Sequence, residues 1–530
     1  MIGRRKKDIQ KQIVSTEPVR RLSLLRVLLA LCLLAGAAFG GMHGVQQWRF
    51  DRTLDSHKPW FAPYVDVTAT PSFAFEQLGN TASRDMVLSF IVASPHDSCM
   101  PTWGAAYTMD QASASLDLDR RIARLQQQGG NVMVSFGGRD NQEPASSCTD
   151  ETALVGAYQS VINRYNLTTI DLDLEGTNLT NADVNARRAT AIKQLQTARR
   201  AAGKPLAVWL TLPVGPDGLS EDGTNAVAQF LAKGVDIAGV NGMTMDYGNS
   251  LTNGLNMLTA SESALNQLQR QLGILYQRAG IHLSDNSLWQ KVGFTPMIGQ
   301  NDDQNEIFTL ADAKALNAWA HSHGIARASM WSANRDLACG DNYADTKVVS
   351  SSCSGVEQSK NDFANALSAD FTGRFTESAG VVTTADAPVK QAADDPATSP
   401  YPIWSTSNAY LEGTKVVWHH NVYQAKWWTE GDLPDNPVLQ SWQTPWDLIG
   451  PVLAGEKPVK QATLPAGTYP VWAGTTTYNT GDRVLFNGVP YQAKWWNQAS
   501  SPAAASSNPD TSPWAPLTQA QINEILSQQK

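Results

Sequence analysis

Three carboxylates, Asp171, Asp173 and Glu175, stand two residues apart in the stretch TTIDLDLEGT, separated by Leu172 and Leu174. Side chains along a strand alternate between faces, so the acids share one face at about 6–7 Å spacing while Ile170, Leu172 and Leu174 share the other. Burying three carboxylates is costly unless a site uses them. Like charges this close do not all ionise, so the row is a device for raising a pKa, which is the requirement of acid–base chemistry. A purely structural acid row is the plain alternative. The letters DLDLEG also match the opening of a calcium loop, but the twelfth loop position falls on Ala182 rather than Glu, and the spacers are leucines that follow a strand.

The elements that must hold this row are legible as a series. Apolar runs at 61–68, 86–94, 131–138, 168–176, 206–214, 237–248, 291–299 and 326–336 alternate with helical patterns such as 118–129 and 182–203. Strands alternating with helices predict an α/β fold with a parallel sheet, and eight such units over residues 58–376 fit a (β/α)8 TIM barrel. In a barrel the leucine face packs on the helices and the acids point inward. Glu175 then lies at the C-terminal end of its strand, where barrel active sites sit.

Residues 377–400 turn to Ala, Thr, Asp, Pro and Ser without periodicity and read as a linker. An internal repeat follows at an offset of 68: YPIWSTSNAY at 401 returns as YPVWAGTTTY at 469, YQAKWW at 423 returns at 491, and the linker PVKQA at 388 returns at 458. The expected units are two small all-β modules at 401–450 and 469–517, joined by a linker at 451–468 and followed by a tail at 518–530. Strand alternation assigns Tyr423, Ala425 and Trp427 to a module core and exposes Gln424, Lys426 and Trp428, with Trp496 exposed by the same logic. Exposed aromatics on a small rigid module suit stacking against the apolar faces of sugar rings. Trp404, Trp472, Tyr410 and Tyr478 are further candidates, with core packing as the alternative.

The formal net charge of −8 excludes the electrostatic footprint of a nucleic-acid binder. Basic residues cluster instead at the very start, from Arg4 to Arg26, ahead of the uncharged run 27–41. That pattern over residues 1–50 is an export signal, either a cleaved signal peptide or a signal-anchor helix using residues 22–45. The protein is expected to be secreted or membrane-anchored, facing outside the cytoplasm. Cys32 lies in this leader. Cys99, Cys148, Cys339 and Cys353 permit three pairings, and their settings favour Cys99 with Cys148 and Cys339 with Cys353 as staples for an oxidising compartment. The cysteines lack metal-ligand spacing and the histidines are scattered, so neither a metal nor a cofactor is called for.

Four segments together resemble glycoside hydrolase family 18, the chitinases and their relatives. TIDLDLEG resembles that family's D-x-x-D-x-D-x-E strand. SFGG at 135–138 resembles its S-x-G-G signature, MTMD at 243–246 its M-x-Y-D, and MWSANRD at 330–336 the end of its eighth strand. The AKWW segments resemble carbohydrate-binding module families 5 and 12. The resemblance implies Glu175 as the acid that protonates the glycosidic oxygen. The sugar's own 2-acetamido oxygen attacks C1, Asp173 holds the acetamido N–H, and Asp171 tunes the proton shared with Asp173. It makes Trp331 a sugar platform, with a plain core aromatic as the alternative, and Asp246 and Tyr247 substrate contacts, with a helix cap or a loop hydrogen bond as theirs. Met243 fills the barrel or lines the pocket, and Ser135, Gly137 and Gly138 let backbone approach closely. Two positions depart from the pattern: its first acid falls on Thr168 and its tyrosine on Met245, with Tyr247 as the candidate replacement. The implied activity is hydrolysis of β-1,4 bonds between N-acetylglucosamine units, with retention, on insoluble chitin, by a monomer. The rivals are an endo-β-N-acetylglucosaminidase acting on N-glycans and a chitin-binding lectin or adhesin.

Overall fold

The computed structural model describes residues 58–77, 84–251, 254–343, 345, 347–386, 393–458, 463–503 and 512–528. The basic leader, with Cys32 and the 22–45 run, lies outside them, as does the linker repeat at 388–392. Among the described residues no helix is long and apolar enough to cross a membrane.

Eight parallel strands close on themselves among the described residues. They are β1 (Trp60–Phe61, resuming as Tyr64–Asp66), β2 (Asp85–Ala93), β3 (Asn131–Gly137), β4 (Thr169–Asp173), β5 (Ala207–Gly215), β6 (Ile237–Met243), β7 (Val292–Thr295) and β8 (Arg327–Ala328). The split in β1 closes the barrel: Trp60 pairs with Arg327 of β8, and Tyr64 pairs with Val87 of β2. The main helices are α1 (Leu118–Gln127), α2 (Glu151–Arg164), α3 (Ala182–Ala201), α4 (Glu221–Ala232), α5 (Met257–Arg278) and α6 (Leu310–His323). Their starts are set by side-chain caps: Asp150, Asn181 and Ser220 accept first-turn N–H groups, and Asn256 and Thr309 form capping boxes. The expected TIM barrel is therefore the observed one. Several strand expectations were too long: the fourth ladder stops at Asp173, the sixth at Met243 and the seventh at Thr295, and the eighth continues past Ala328 only as an isolated bridge from Trp331 to Met297.

The sheet has two apolar layers. Ile170, Leu172 and Leu174 point outward into the large core between strands and helices. Trp60, Met133, Trp209 and Phe375 fill the inside of the barrel from below. Both expected disulfides form, Cys99–Cys148 and Cys339–Cys353.

The loops after β3 and β4 are tied together by a buried polar knot. Arg188 on α3 pairs with Glu143 at 2.8 Å with both side chains fully buried, and Tyr158 donates to the same carboxylate. Asn178 Oδ1 accepts from the Glu143 N–H at 3.1 Å, its amide donates to the Asn141 carbonyl at 3.2 Å, and its own carbonyl accepts from Arg188 Nη2 at 3.1 Å.

Beyond the barrel the two β modules repeat strand for strand. The three-stranded sheet Lys415–Trp418, Asn421–Ala425, Trp446–Pro451 has its counterpart in Arg483–Phe486, Val489–Ala493, Trp514–Pro516. Several expectations change here. Tyr410 and Tyr478 are buried, each hydroxyl satisfied by the backbone of Ser405 or Ala473, and Trp404 and Trp472 pack into the same small cores. A module this small needs these aromatics for folding, which favours the core-packing alternative for Tyr410, Tyr478 and Trp404, while Trp472 stays partly exposed. Trp427 is exposed together with Trp428, as are Trp495 and Trp496, because the strand ends at Ala425 or Ala493 and alternation ends with it. The linker is shorter than expected: Thr383 bonds Asp236 and Lys291, and Asp386 bonds Ser284, so this stretch straps onto the barrel. The expected tail contains a helix, Gln519–Gln528, whose Ile522 packs with Leu464, Leu485 and Leu517.

Removing one partner of a buried ion pair strands the other charge, so Glu143→Ala should destabilise the barrel by about 3–5 kcal/mol, read from urea unfolding. Replacing both partners with apolar residues, Glu143→Leu with Arg188→Met, should cost far less. Equal losses in the two variants would show that the knot is not acting as an ion pair.

Candidate active site

The inward face of the barrel begins with a caged cation. The Arg327 guanidinium lies 5.3–5.6 Å from the ring centroids of Trp60, Tyr64 and Trp209. Its Nη1 donates to Asp171 Oδ1 at 2.6 Å, with both side chains fully buried. Asp171 also accepts from Thr211 Oγ1 at 2.7 Å, from Ser135 Oγ at 2.7 Å and from the Tyr64 hydroxyl at 2.8 Å. Four donors therefore saturate it. Its charge acts on Asp173 by repulsion.

Asp173, one step up the strand, is 4% exposed, and its Oδ1 is buried with no hydrogen-bond partner. Burial, then the charges of Glu175 and Asp171, push its carboxyl well above the usual range. Glu175 is partly exposed and lines the cleft above. Burial raises it from 4.5 to about 7, Arg139 opposes this, and Asp140, Asp246 and Asp302 reinforce it. The row is thus graded in depth, and its two upper members favour their neutral forms.

The cleft holds about 610 Å³, and Trp331, Met243, Met245, Asp246 and Asp302 are among its lining residues. Trp331 stacks on Phe90 at 5.5 Å between centroids and stands 6.1 Å from Tyr64. Asp246 adopts a left-handed backbone, φ 50, and its carboxylate accepts from the Asp302 N–H at 2.7 Å. Asp302 in turn pairs with Arg139 from the loop after β3. Loops from three strands thus meet over Glu175.

Three expected site residues stand back from the cleft. Tyr247 is buried, its hydroxyl paired with Ser261 on α5 at 3.0 Å, so it does not replace the missing tyrosine. Met245 itself lines the cleft at that position. Ser135 serves Asp171. Gly137, at φ +110, allows the close crossing of β3 and β4: a Cβ there would lie 2.0 Å from the Asp173 carbonyl. Tyr64, Arg327, Thr211, Arg139 and Asp302 went unnoticed in the sequence. Tyr64 and Arg327 could have been found from the inward phase of their strands; the loop residues carry no such signal.

Residues 471–515 match carbohydrate-binding module family 5/12. Over 304 residues, 55% of this chain, the sequence is 36% identical to a probable bifunctional chitinase/lysozyme of Escherichia coli K12, covering 33% of that protein. Over 298 residues it is 35% identical to Endochitinase 11 of Metarhizium anisopliae, covering 54% of this chain and 55% of the relative. Active domain 2 of a Pyrococcus furiosus chitinase superposes with a TM-score of 0.51 at 27% identity, covering 60% of this chain and 97% of that domain. The barrel is similar to chitinase catalytic domains. The chain spans a third to about half of the length of the two curated relatives, and the chitinase-type barrel is the part of it with this structural likeness.

The raised Glu175 makes a prediction independent of activity. Its proton is held more tightly in the folded state, so the stability it confers is full below its unfolded value and is lost as pH rises through about 7. Glu175→Gln should therefore be more stable than wild type at alkaline pH, by on the order of 3 kcal/mol, and no more stable below about pH 5. Denaturant midpoints at the two pH values decide it; a pH-independent difference would contradict the raised value.

Proposed function

We propose that this protein is an exported chitinase that cleaves β-1,4 bonds between N-acetylglucosamine units with retention, using the substrate's acetamido group as nucleophile. The observation that carries this reading is the buried, unpartnered Oδ1 of Asp173 directly below Glu175. A buried acceptor without a donor is costly, and an acetamido N–H entering the cleft supplies the missing donor. Ordinary retaining glycosidases use a second carboxylate as nucleophile; here the carboxyl in that place is driven toward its neutral form and suits orienting rather than attacking.

The steps follow from this geometry. Glu175, protonated near neutral pH, gives its proton to the bridging oxygen as the C1–O bond breaks. The acetamido carbonyl oxygen closes on C1, forming an oxazolinium ion, while Asp173 accepts from the N–H and holds the amide in line with C1. Glu175, now a carboxylate, takes a proton from water, which opens the ring at C1 from the face first occupied by the leaving sugar. Trp331 presents an aromatic face to the sugar's C–H surface. The paired tryptophans 427/428 and 495/496 hold the enzyme on insoluble polymer, two weak contacts acting together through effective concentration. The two disulfides suit an oxidising compartment outside the cytoplasm.

Reducing-end release from colloidal chitin should fall by about a hundredfold or more in Glu175→Gln, the range of general-acid contributions. The first product from wild type should be the β anomer. Equal rates in both forms, or inverted anomers appearing first, would remove this mechanism. Trp495→Ala with Trp496→Ala should weaken chitin pull-down; retention equal to wild type would assign those indoles no binding role.

A further inference from the structure

The two modules share their strands, and they differ where the first meets the barrel. The carbonyls of residues 437–439 accept from α5: Pro437 from Arg278 Nη2 at 3.1 Å, Val438 from Arg270 Nη1 at 2.6 Å, and Leu439 from Arg270 Nη2 at 2.9 Å and Gln271 Nε2 at 3.1 Å. Ser441 Oγ donates to Asp217 Oδ1 at 2.8 Å. Asp217 sits in the turn of the hairpin made by the end of β5 and Gly218–Leu219, and Pro213 and Val214 of the same strand end line the cleft. The contacts therefore run without a break from the cleft wall to Ser441.

Next to Ser441, Trp442 is 59% exposed. Lys426 Nζ donates to the Ser441 carbonyl and sits 4.9 Å from the ring centroid of Trp427, which is 44% exposed. Two open indoles thus each follow a member of the Lys426–Ser441 contact, and Ser441 is itself bonded to the barrel. In the second copy the positions of Ser441 and Trp442 are taken by Pro509 and Asp510. Its Lys494 and Trp495 keep the cation–aromatic pair, at 4.6 Å. The third tryptophan and the docking serine therefore belong to the first copy alone.

We infer that the first module is a fixed extension of the substrate cleft, where Trp442 and Trp427 stack on sugar units of an N-acetylglucosamine chain as it passes the β5 hairpin. This rests on the reading of the cleft given above. Neither indole is needed to fill the module core, which is built from Trp404, Tyr410, Tyr423 and Trp446. Nor is the Trp442 side chain part of the docking bonds, which use backbone carbonyls and Ser441. An exposed aromatic platform held in place spares the ordering cost of a tethered one. A chain long enough to reach from cleft to platform gains affinity that a short one does not.

The test is the affinity of N-acetylglucosamine tetramer and octamer for the Glu175→Gln protein, measured by calorimetry. The octamer should bind more tightly, and Trp442→Ala should cut the octamer-to-tetramer ratio about fivefold, the worth of one aromatic contact. Arg270→Ala with Arg278→Ala should reduce the same ratio with both indoles intact. A ratio untouched by Trp442→Ala, or an equal loss for both oligomers, overturns the extension. A ratio untouched by the arginine changes overturns its fixed attachment. If wild type cleaves neither oligomer while the ratio still depends on Trp442, the hydrolase reading fails and the extension stands.

Discussion

The chemistry of this barrel depends on one buried pair, Arg327 with Asp171. Three acids enter a space sealed from below by Trp60 and Trp209, and a cation from the last strand compensates the deepest of them. A lone charge there would carry a desolvation penalty of several kcal/mol. With Arg327 committed to Asp171, the two acids above must answer burial and mutual repulsion by keeping protons. The barrel is a well closed at one end and open at the other, and exposure rises from Asp171 to Asp173 to Glu175. Depth thus grades the row: a fully bonded carboxylate group at the bottom, a buried carboxyl with an unpartnered oxygen above it and a partly exposed acid at the mouth.

What the sequence showed and what it hid follow from range. The acid row, the eight apolar runs and the cysteine pairs are local patterns, and each describes a single strand, helix or loop. Arg327 was invisible because its partner is 156 residues away, and a single Arg in ARASMW reads as a surface charge. Tyr247 failed for a related reason. Its place two residues past Met245 made it the candidate for the missing tyrosine, but β6 has ended by Met243 and the chain turns, sending the tyrosine to α5.

The modules teach the same lesson on a smaller scale. Alternation is a property of a ladder, and it holds through Ala425, where Tyr423 and Ala425 are both buried. Two residues later it has lapsed, and Trp427 faces solvent beside Trp428. Composition misjudged the linker in the same way. A run without periodicity can still bond well, as Thr383 and Asp386 do, because a strap needs only a few polar groups at the right places.

Glu175 itself lies beyond the last residue of β4, so the ladder does not hold it. What holds it is the knot below. Leu174 N–H donates to the Thr211 carbonyl at 3.0 Å, and Asn178 binds the neighbouring loop to the Arg188–Glu143 pair. That neighbouring loop carries Arg139 and Asp140, which push the Glu175 pKa in opposite directions. The backbone of that loop is therefore anchored by a buried ion pair outside the cleft lining, while the Arg139 side chain itself is exposed and held by Asp302. A barrel that left this backbone unanchored would let the proton affinity of its acid wander with every loop motion. Anchoring the loop backbone through a buried knot, and leaving only side-chain ends at the mouth, keeps the framework around Glu175 in place while substrate enters.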